Sequence, residues 1–296
     1  MSASDGMPRG VIHDLGYRPY TGPRNGEAAI ARSLFDTGLR NAFGIGRSGK
    51  SKVLPFVLLA LNLLPAVILV GIMVFTGLTD QPNYAGYAST TQILVSIFAA
   101  AQAPVLFSRD LRHGTIVLYL ARPLQSRTYA LIRWCSLVAA IAIFLVAPVV
   151  LLYLGAVLGG ADLTDQSTEA AKAIVVAALL ATMLASITGL ISAWSTRRGF
   201  AIVASIAVLL FGAGVVATIQ AIADQQGKPV VGEAAGLLSP YTLYRGITQS
   251  LFGVDLGALT PPVSGPMQAA YVAAALAVVV GGIGLLTLRF RKAGSR

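Results

Sequence analysis

Residues 44–51 have the residue types and the spacing of a phosphate-binding loop. The stretch reads GIGRSGKS, and four residues match the pattern G-x-x-x-x-G-K-[ST]: Gly44, Gly49, Lys50 and Ser51. In such a loop the backbone amides hold phosphate oxygens, the lysine reaches the terminal phosphates and the hydroxyl binds Mg²⁺. That chemistry would make the chain a nucleotide-binding protein in its own right.

The surroundings of this match argue against nucleotide binding. A phosphate-binding loop follows a buried strand and opens a packed helix. Here the preceding residues have a helical pattern, and a long apolar segment begins directly after Lys52. Glycines mixed with Arg47, Lys50 and Lys52 are typical of a basic junction at the inner headgroups of a membrane. We therefore interpret the match as false and expect this chain to bind no nucleotide and no other cofactor.

The other reactive residue types are too scattered to form a site. His13 and His113 are far apart and have no cysteine or acidic cluster nearby, which is unlike a metal site. Cys135 is the single cysteine, so an intrachain disulfide is impossible, and no histidine is close to it in sequence. We expect no metal and no catalytic residues, because a membrane-embedded enzyme would need convergent titratable groups.

A second charged cluster, from Ser108 to Arg133, lies between two apolar segments. It reads SRDLRHGTIVLYLARPLQSRTYALIR and contains five arginines and one acid, Asp110. Residues 109–120 can form a short helix, and Pro123 ends it because proline disfavours the helical conformation at Arg122. A short cationic helix followed by a turn suits contact with a soluble partner.

These clusters belong to a chain that is mostly apolar. It has 296 residues, of which 55% are hydrophobic and 11% charged, whereas soluble domains carry about 25% charged residues. Repeated apolar runs of membrane-crossing length indicate an all-α polytopic membrane protein. We predict six transmembrane helices, at Val53–Gly77, Ala88–Phe107, Ala130–Leu158, Ala170–Ser195, Phe200–Ala223 and Met267–Leu288.

The distribution of charge predicts the orientation of these spans. Eight Lys or Arg residues lie in the N-terminal tail, five in the 108–133 segment, two at Arg197–Arg198 and four in the C-terminal tail, which makes 19 of 22. The three remaining segments hold seven of the 12 acids. Because positive residues stay on the cytoplasmic side, we expect both termini inside. The net charge of +10 is then a signal of topology rather than of nucleic-acid binding.

The N-terminal tail, residues 1–52, is polar and lacks a signal-peptide core. From Glu27 its pattern predicts an amphipathic helix at the inner membrane surface. The tail is followed by a single predicted transmembrane domain at 53–290 and a C-terminal tail at 291–296. The apolar side of the helix contains Ile30, Leu34, Phe35, Leu39, Ala42 and Phe43. Another side carries Arg32, Asp36 and Arg40 at intervals of four residues. The helix either only anchors the first span or also contacts a cytoplasmic partner, and the pattern does not separate the two.

The order of features in the 108–133 segment resembles the loop between the second and third spans of permease subunits of type-2 ABC exporters. The matching residues are Asp110, Gly114, Thr115, Leu120, Ala121, Arg122, Pro123 and Arg127. Those permeases often begin the loop with a glutamate, where this chain has Asp110. The resemblance covers most of the chain, because the number of spans, the tight turn between the fourth and fifth, and residues 238–241 (LSPY) before the sixth also fit.

The resemblance implies a membrane subunit that forms the pathway of an ATP-driven exporter in the plasma membrane. Two separate ATPase subunits, which carry the ATP and Mg²⁺, would grip a short coupling helix in the loop. The residues implied in that contact are Arg109, Asp110, Arg112, Gly114, Thr115, Arg122, Pro123 and Arg127, with Arg32, Asp36 and Arg40 as a second contact. A second permease, with an identical copy favoured over a different one, would complete the pathway among the membrane lipids. The short segment before the sixth span would form external helices, with Ser239 as a cap.

Two other functions stay open. The 108–133 segment could be an ordinary positive-inside loop, and the chain could be a membrane scaffold or regulator that docks a soluble partner without moving solute. An ATP-independent carrier would need an ionisable residue in the middle of a span, and the predicted spans contain none there. Polar residues within the spans, such as Asn62, Ser186 and Gln220, are expected to join helices.

Overall fold

The computed structural model describes residues 22, 26–77, 83–112, 124–195 and 197–294. Over these residues the chain forms helices and no β-strand. The helices are α1 (Glu27–Ala42), α2 (Gly49–Thr76), α3 (Tyr84–Thr90), α4 (Gln92–Leu106), α5 (Ser108–Arg112), α6 (Ser126–Leu158), α7 (Leu163–Trp194), α8 (Arg198–Ile206), α9 (Gly212–Gln225), α10 (Pro229–Gly236), α11 (Pro240–Phe252) and α12 (Gly265–Gly294). A π-helical turn, Ala207–Phe211, joins α8 to α9.

Within the described ranges, six helical segments are long and apolar enough to cross a membrane, which confirms the predicted number. They are Gly49–Thr76, Gln92–Arg112, Ser126–Leu158, Leu163–Trp194, Arg198–Gln225 and Gly265–Lys292. Each contains most of one predicted span. The all-α architecture is therefore that of a multi-pass membrane protein.

The helices extend beyond the apolar runs from which they were predicted. α6 begins at Ser126 rather than Ala130, and α7 begins at Leu163 rather than Ala170. Backbone hydrogen bonding continues a helix until a cap or a turn interrupts it, whatever the polarity of the side chains. At α7 the cap is Asp162, whose carboxylate accepts hydrogen bonds from the backbone N–H groups of residues 164 and 165 at 2.8 and 3.0 Å.

The predicted second span is divided in the structure. Residues 88–90 belong to α3, and α4 begins only at Gln92 after a break at Thr91. α3 carries Tyr87, whose hydroxyl donates to the backbone carbonyl of Asn62 in α2 and accepts from the backbone N–H of Ala66 at 3.2 Å. This hydroxyl enters the hydrogen-bond ladder of α2 beside Pro65, where a proline-containing helix is most open to such a contact.

The core lies along α4, α6 and α7, and α6 packs extensively against α7, α2 and α1. Of the six candidate spans, the one containing α4 is the most buried, and those formed by α2, by α8 with α9 and by α12 are the least buried. The exposed surfaces of these outer helices are apolar, as shown by Phe75, Phe200 and Phe211. Such faces suit acyl chains or another membrane subunit.

The two ends of the bundle differ in charge. At one end the C-terminal part of α12 meets the end of α7, where Arg289 Nε donates to the carbonyl of Ala193 at 3.2 Å. We call this the basic end, and define it by Arg47, Arg109, Arg133, Arg198 and Arg289. The opposite end carries α3, α10 and α11.

Two short helices, α10 and α11, lie where the sequence predicts helices before the last span. Pro240 occupies the first position of α11, as expected. Ser239 lies at the cap position, but its hydroxyl makes no capping hydrogen bond, so the predicted side-chain cap is wrong. Leu243 and Ile247 are buried on the predicted apolar side, whereas Leu251 at the end of α11 is exposed because no element covers it.

Candidate functional site

The charged segment after the second span begins at the basic end with α5, which follows α4 after a turn at Phe107. Arg112 is exposed at its end, Arg109 is half-buried, and Arg127 is exposed in the first turn of α6. Other residues of the predicted coupling segment lie outside the described residues: Gly114, Thr115, Arg122 and Pro123. The helix predicted over 109–120 is thus described only as far as Arg112.

Asp110 is buried against α6 rather than presented at the surface. Its Oδ2 accepts hydrogen bonds from the Tyr129 hydroxyl at 2.5 Å and from Arg133 Nη2 at 2.6 Å. Only 4% of Asp110 and 2% of Arg133 is exposed. The family resemblance implies a role for Asp110 in contact with an ATPase, and that role stays a prediction. In the structure its carboxylate ties the beginning of the charged segment to the third span.

The two α6 residues of this cluster reach Asp110 together because they lie one helical turn apart on the same face. Arg133 Nε donates to the Tyr129 hydroxyl at 3.2 Å, and the guanidinium carbon lies 5.4 Å from the centre of the tyrosine ring. A buried ion pair is retained when such hydrogen bonds compensate for lost hydration. The sequence assigns Arg133 to the loop arginines, and the four-residue spacing of Tyr129 and Arg133 is the signal that indicates a shared helical face.

Aromatic rings extend the cluster to the last span. The ring of Phe290 in α12 lies 6.1 Å from that of Phe107 and 5.3 Å from that of Tyr129, measured between centroids. All three residues are fully buried. Tilted ring pairs at this separation stabilise packing beyond their buried area. The start of the charged segment is therefore attached to α6 by hydrogen bonds and to α12 by ring packing.

α1 docks on α6 beside this cluster. Gly38 faces Ser136, whose hydroxyl lies 3.3 Å from the carbonyl of Phe35. Leu34 and Ala42 are buried on the docked side, as the pattern predicts. The charged residues predicted on the other side, Arg32, Asp36 and Arg40, are exposed. α1 thus presents a charged face away from the bundle at its basic end.

Residues 44–51 span the turn between α1 and α2 and the first residues of α2. α1 ends at Ala42 and α2 begins at Gly49, so a helix precedes the motif where a phosphate-binding loop has a strand. Gly44 has φ of 69°, and its N–H donates to the carbonyl of Asn41 at 3.1 Å. A Cβ at Gly44 would lie 2.4 Å from the backbone oxygen of Ser51. Closing this turn gives Gly44 a structural role that is independent of phosphate.

Gly44→Ala is expected to lower the free energy of unfolding by about 2–4 kcal/mol, through the left-handed backbone and the clash with Ser51 together. Gly46→Ala is the matched control, because Gly46 also has positive φ but a Cβ there would meet no atom within 4 Å. Gly46→Ala is expected to lower the free energy of unfolding by about 1 kcal/mol. Equilibrium unfolding in detergent micelles measures both. Equal losses of unfolding free energy in the two variants would contradict the steric role of Gly44.

The phosphate-loop interpretation has its own test, which is ATP binding by the isolated chain. If the chain binds ATP and Lys50→Ala abolishes that binding, the interpretation would be restored.

Polar side chains within the candidate spans connect different pairs of helices. Asn62 Nδ2 of α2 donates to the carbonyl of Phe144 in α6 at 2.9 Å. Trp134 Nε1 of α6 donates to Ser186 Oγ of α7 at 3.0 Å. These contacts agree with the predicted role in joining helices. In the part of the chain that the structure describes, no group of His, Cys, Asp or Glu could hold a metal ion.

Comparison with protein-family models and with curated proteins identifies no relative of this chain. It matches no protein-family model, and no curated protein matches it significantly. The resemblance to type-2 ABC permeases therefore rests on the order of its residues and spans. The arrangement at the basic end is the remaining basis for a functional proposal.

Proposed function

We propose that this chain is the transmembrane subunit of an ATP-driven exporter of the type-2 ABC class. It forms the translocation pathway and is coupled to separate ATPase subunits through residues 109–127. The observation that carries the proposal is the buried Asp110–Arg133–Tyr129 cluster at the start of this charged segment. The ATP and Mg²⁺ belong to the partner subunits.

A segment transmits force into a membrane domain only where its base is firmly attached. α5 is held to α6 by the 2.6 Å ion pair of Asp110 with Arg133. Phe107 adds contact with Phe290 of α12. Displacement of residues 113–123 by a partner would therefore be passed to the third and sixth spans. Arg127 is exposed at the return of the segment and is available to that partner.

α1 supplies a second contact in this proposal. Its apolar side is fixed on α6, and its exposed Arg32, Asp36 and Arg40 face away from the bundle. Both contacts lie at the basic end, which faces the cytoplasm of a plasma-membrane protein by the positive-inside rule. The exposed apolar faces of α2, α8 and α9 provide surface for a second permease, most simply an identical copy.

A membrane scaffold or regulator is the alternative. It would use the same basic end to hold a soluble partner, but no solute would move and the attachment of α5 would serve only stability. An ATP-independent carrier has less support. The buried pair of Asp110 and Arg133 lies near the ends of two spans, and each charge is already neutralised by the other.

The experiment is ATP hydrolysis by the chain reconstituted in nanodiscs together with a candidate ABC ATPase subunit. Arg122→Ala/Arg127→Ala is expected to lower the hydrolysis stimulated by the membrane subunit roughly tenfold, because two charge-assisted contacts are lost. Lys172→Ala/Lys228→Ala removes the same charge at the opposite end and should leave hydrolysis unchanged. Full hydrolysis in the Arg122/Arg127 variant would contradict coupling through this segment. A bound ATPase whose hydrolysis no solute changes would favour the scaffold.

A further inference from the structure

Arginines from three separate parts of the chain line one cavity of about 240 Å³ at the basic end. Arg47 comes from the turn between α1 and α2, Arg109 and Arg112 come from α5, and Arg198 opens α8. The other described residues that line the cavity are uncharged and belong to the second span: Pro104, Val105 and Ser108. No acidic side chain among the described residues lines this cavity.

The like charges of Arg47, Arg109 and Arg198 are close enough to act on one another unfavourably. Burial, and next the charges of Arg109 and Arg198, lower the pKa of Arg47 from its usual value. Asp110 is shared between two arginines, because its Oδ1 lies 3.9 Å from Arg109 Nε while its Oδ2 binds Arg133 at 2.6 Å. Like charges gathered around one cavity favour an anion placed between them.

We propose that this cavity is a phosphate-binding site, occupied by the headgroup phosphate of an anionic membrane lipid. Guanidinium groups match phosphate oxygens through paired hydrogen bonds, and several arginines around one group give both affinity and orientation. The same chemistry would accept a free phosphate from solution. The proposal does not depend on the transport function, because it rests on this cavity alone.

The surface beside the cavity favours a lipid as the source of the phosphate. Val53 and Leu54 follow Arg47 by less than two helical turns of α2, and both are exposed. Phe200 and Val203 follow Arg198 on α8 and are about two-thirds exposed. These apolar side chains provide contact for acyl chains attached to a phosphate held by the arginines. A bound lipid would link the α1–α2 turn, α5 and α8 to one another.

The test uses the purified full chain in detergent and follows its thermal unfolding midpoint, since a ligand that binds the folded state raises this midpoint. The probes are phosphatidic acid, phosphatidylcholine and inorganic phosphate at matched ionic strength. Phosphatidic acid is expected to raise the midpoint at lower concentration than either of the others. Arg47→Gln/Arg198→Gln is expected to weaken the apparent affinity for phosphatidic acid at least roughly tenfold.

Two variants control this experiment. Lys52→Gln/Arg291→Gln removes the same charge from exposed positions outside the cavity and should keep most of the response. Arg47→Lys/Arg198→Lys keeps both charges but loses the paired hydrogen bonds that a guanidinium group makes to phosphate. Its affinity for phosphatidic acid should be intermediate. That result would show that the Arg→Gln variant lost the site rather than its fold.

The possible results distinguish a lipid phosphate, a phosphate from solution and a general attraction of charge. Stabilisation by inorganic phosphate equal to that by phosphatidic acid, lost in the Arg47/Arg198 variant, supports the site and assigns its phosphate to solution. Equal weakening by the Lys52/Arg291 control would show general attraction of charge and overturn the proposal. An Arg47/Arg198 variant that keeps the full response to phosphatidic acid would also overturn the proposal.

Discussion

Asp110→Ala is expected to lower the free energy of unfolding by about 3–5 kcal/mol, the largest loss for any single substitution at the basic end. The change leaves the Arg133 guanidinium charged, 2% exposed and without its 2.6 Å partner. It also removes the acceptor of the Tyr129 hydroxyl. Chemical unfolding in mixed micelles, followed by the fluorescence of Trp134 and Trp194, measures the loss.

A second substitution distinguishes the buried charge from a general packing defect. In Asp110→Ala/Arg133→Met both charges are absent and the methionine occupies part of the vacated volume, so most of the lost stability should return. Asp36→Ala is the matched control, because Asp36 is exposed on α1, and its effect should stay within about 0.5 kcal/mol. A double variant as unstable as Asp110→Ala alone would show that the ion pair is not the cause.

The same substitution bears on the proposed coupling. If Asp110 acts by holding α5 on α6, its loss loosens the base of the charged segment without removing any exposed contact. The ATPase should then still bind, while hydrolysis becomes independent of the membrane subunit. Loss of ATPase binding together with unchanged stability would instead favour direct contact by Asp110.

Gly38→Leu is expected to detach α1 from α6, with a loss of about 3 kcal/mol in the free energy of unfolding. A Cβ at Gly38 would lie 2.5 Å from Ser136 Oγ and 2.8 Å from Ser136 Cβ, so the longer leucine side chain has no room. Detachment exposes the backbone of α1 to protease. Trypsin should therefore cleave after Arg32 and Arg40 faster than in the wild-type chain.

Thr37→Leu is the control for Gly38→Leu, because it adds an equally apolar side chain at an exposed position on the same helix. It should leave trypsin cleavage nearly unchanged. Gly38→Ala should have a smaller effect than Gly38→Leu, and Ser136→Gly combined with it should restore docking by clearing the space. Wild-type resistance to trypsin in Gly38→Leu would mean that this contact does not hold α1.

α1 was predictable because its information is local. The apolar residues repeat at helical spacing from Glu27 onward, and the structure begins the helix at that residue with Leu34 buried and Arg32 exposed. The partner of α1 was not predictable in the same way. Gly38 looks like any helical glycine until Ser136 of α6 is placed against it.

The Asp110 cluster shows the limit of reasoning from residue type. Asp110 and Arg133 are 23 residues apart and belong to different helices. An acid among arginines suggests a surface contact, and the sequence offers no measure of which charge is buried. Only the packing of the helices places Asp110 against Tyr129 and Arg133 of α6 while Arg127 stays exposed.

The sequence by itself determined the membrane class, the six spans and the concentration of positive charge at one set of turns. Crossing a bilayer requires about 20 consecutive apolar residues, and the sequence shows such runs directly. The tertiary structure alone decided which charged residues are buried in the bundle and which stay exposed. It buries Asp110 with Arg133 and gathers Arg47 and Arg198 around one cavity, because helix packing joins residues that the chain keeps far apart.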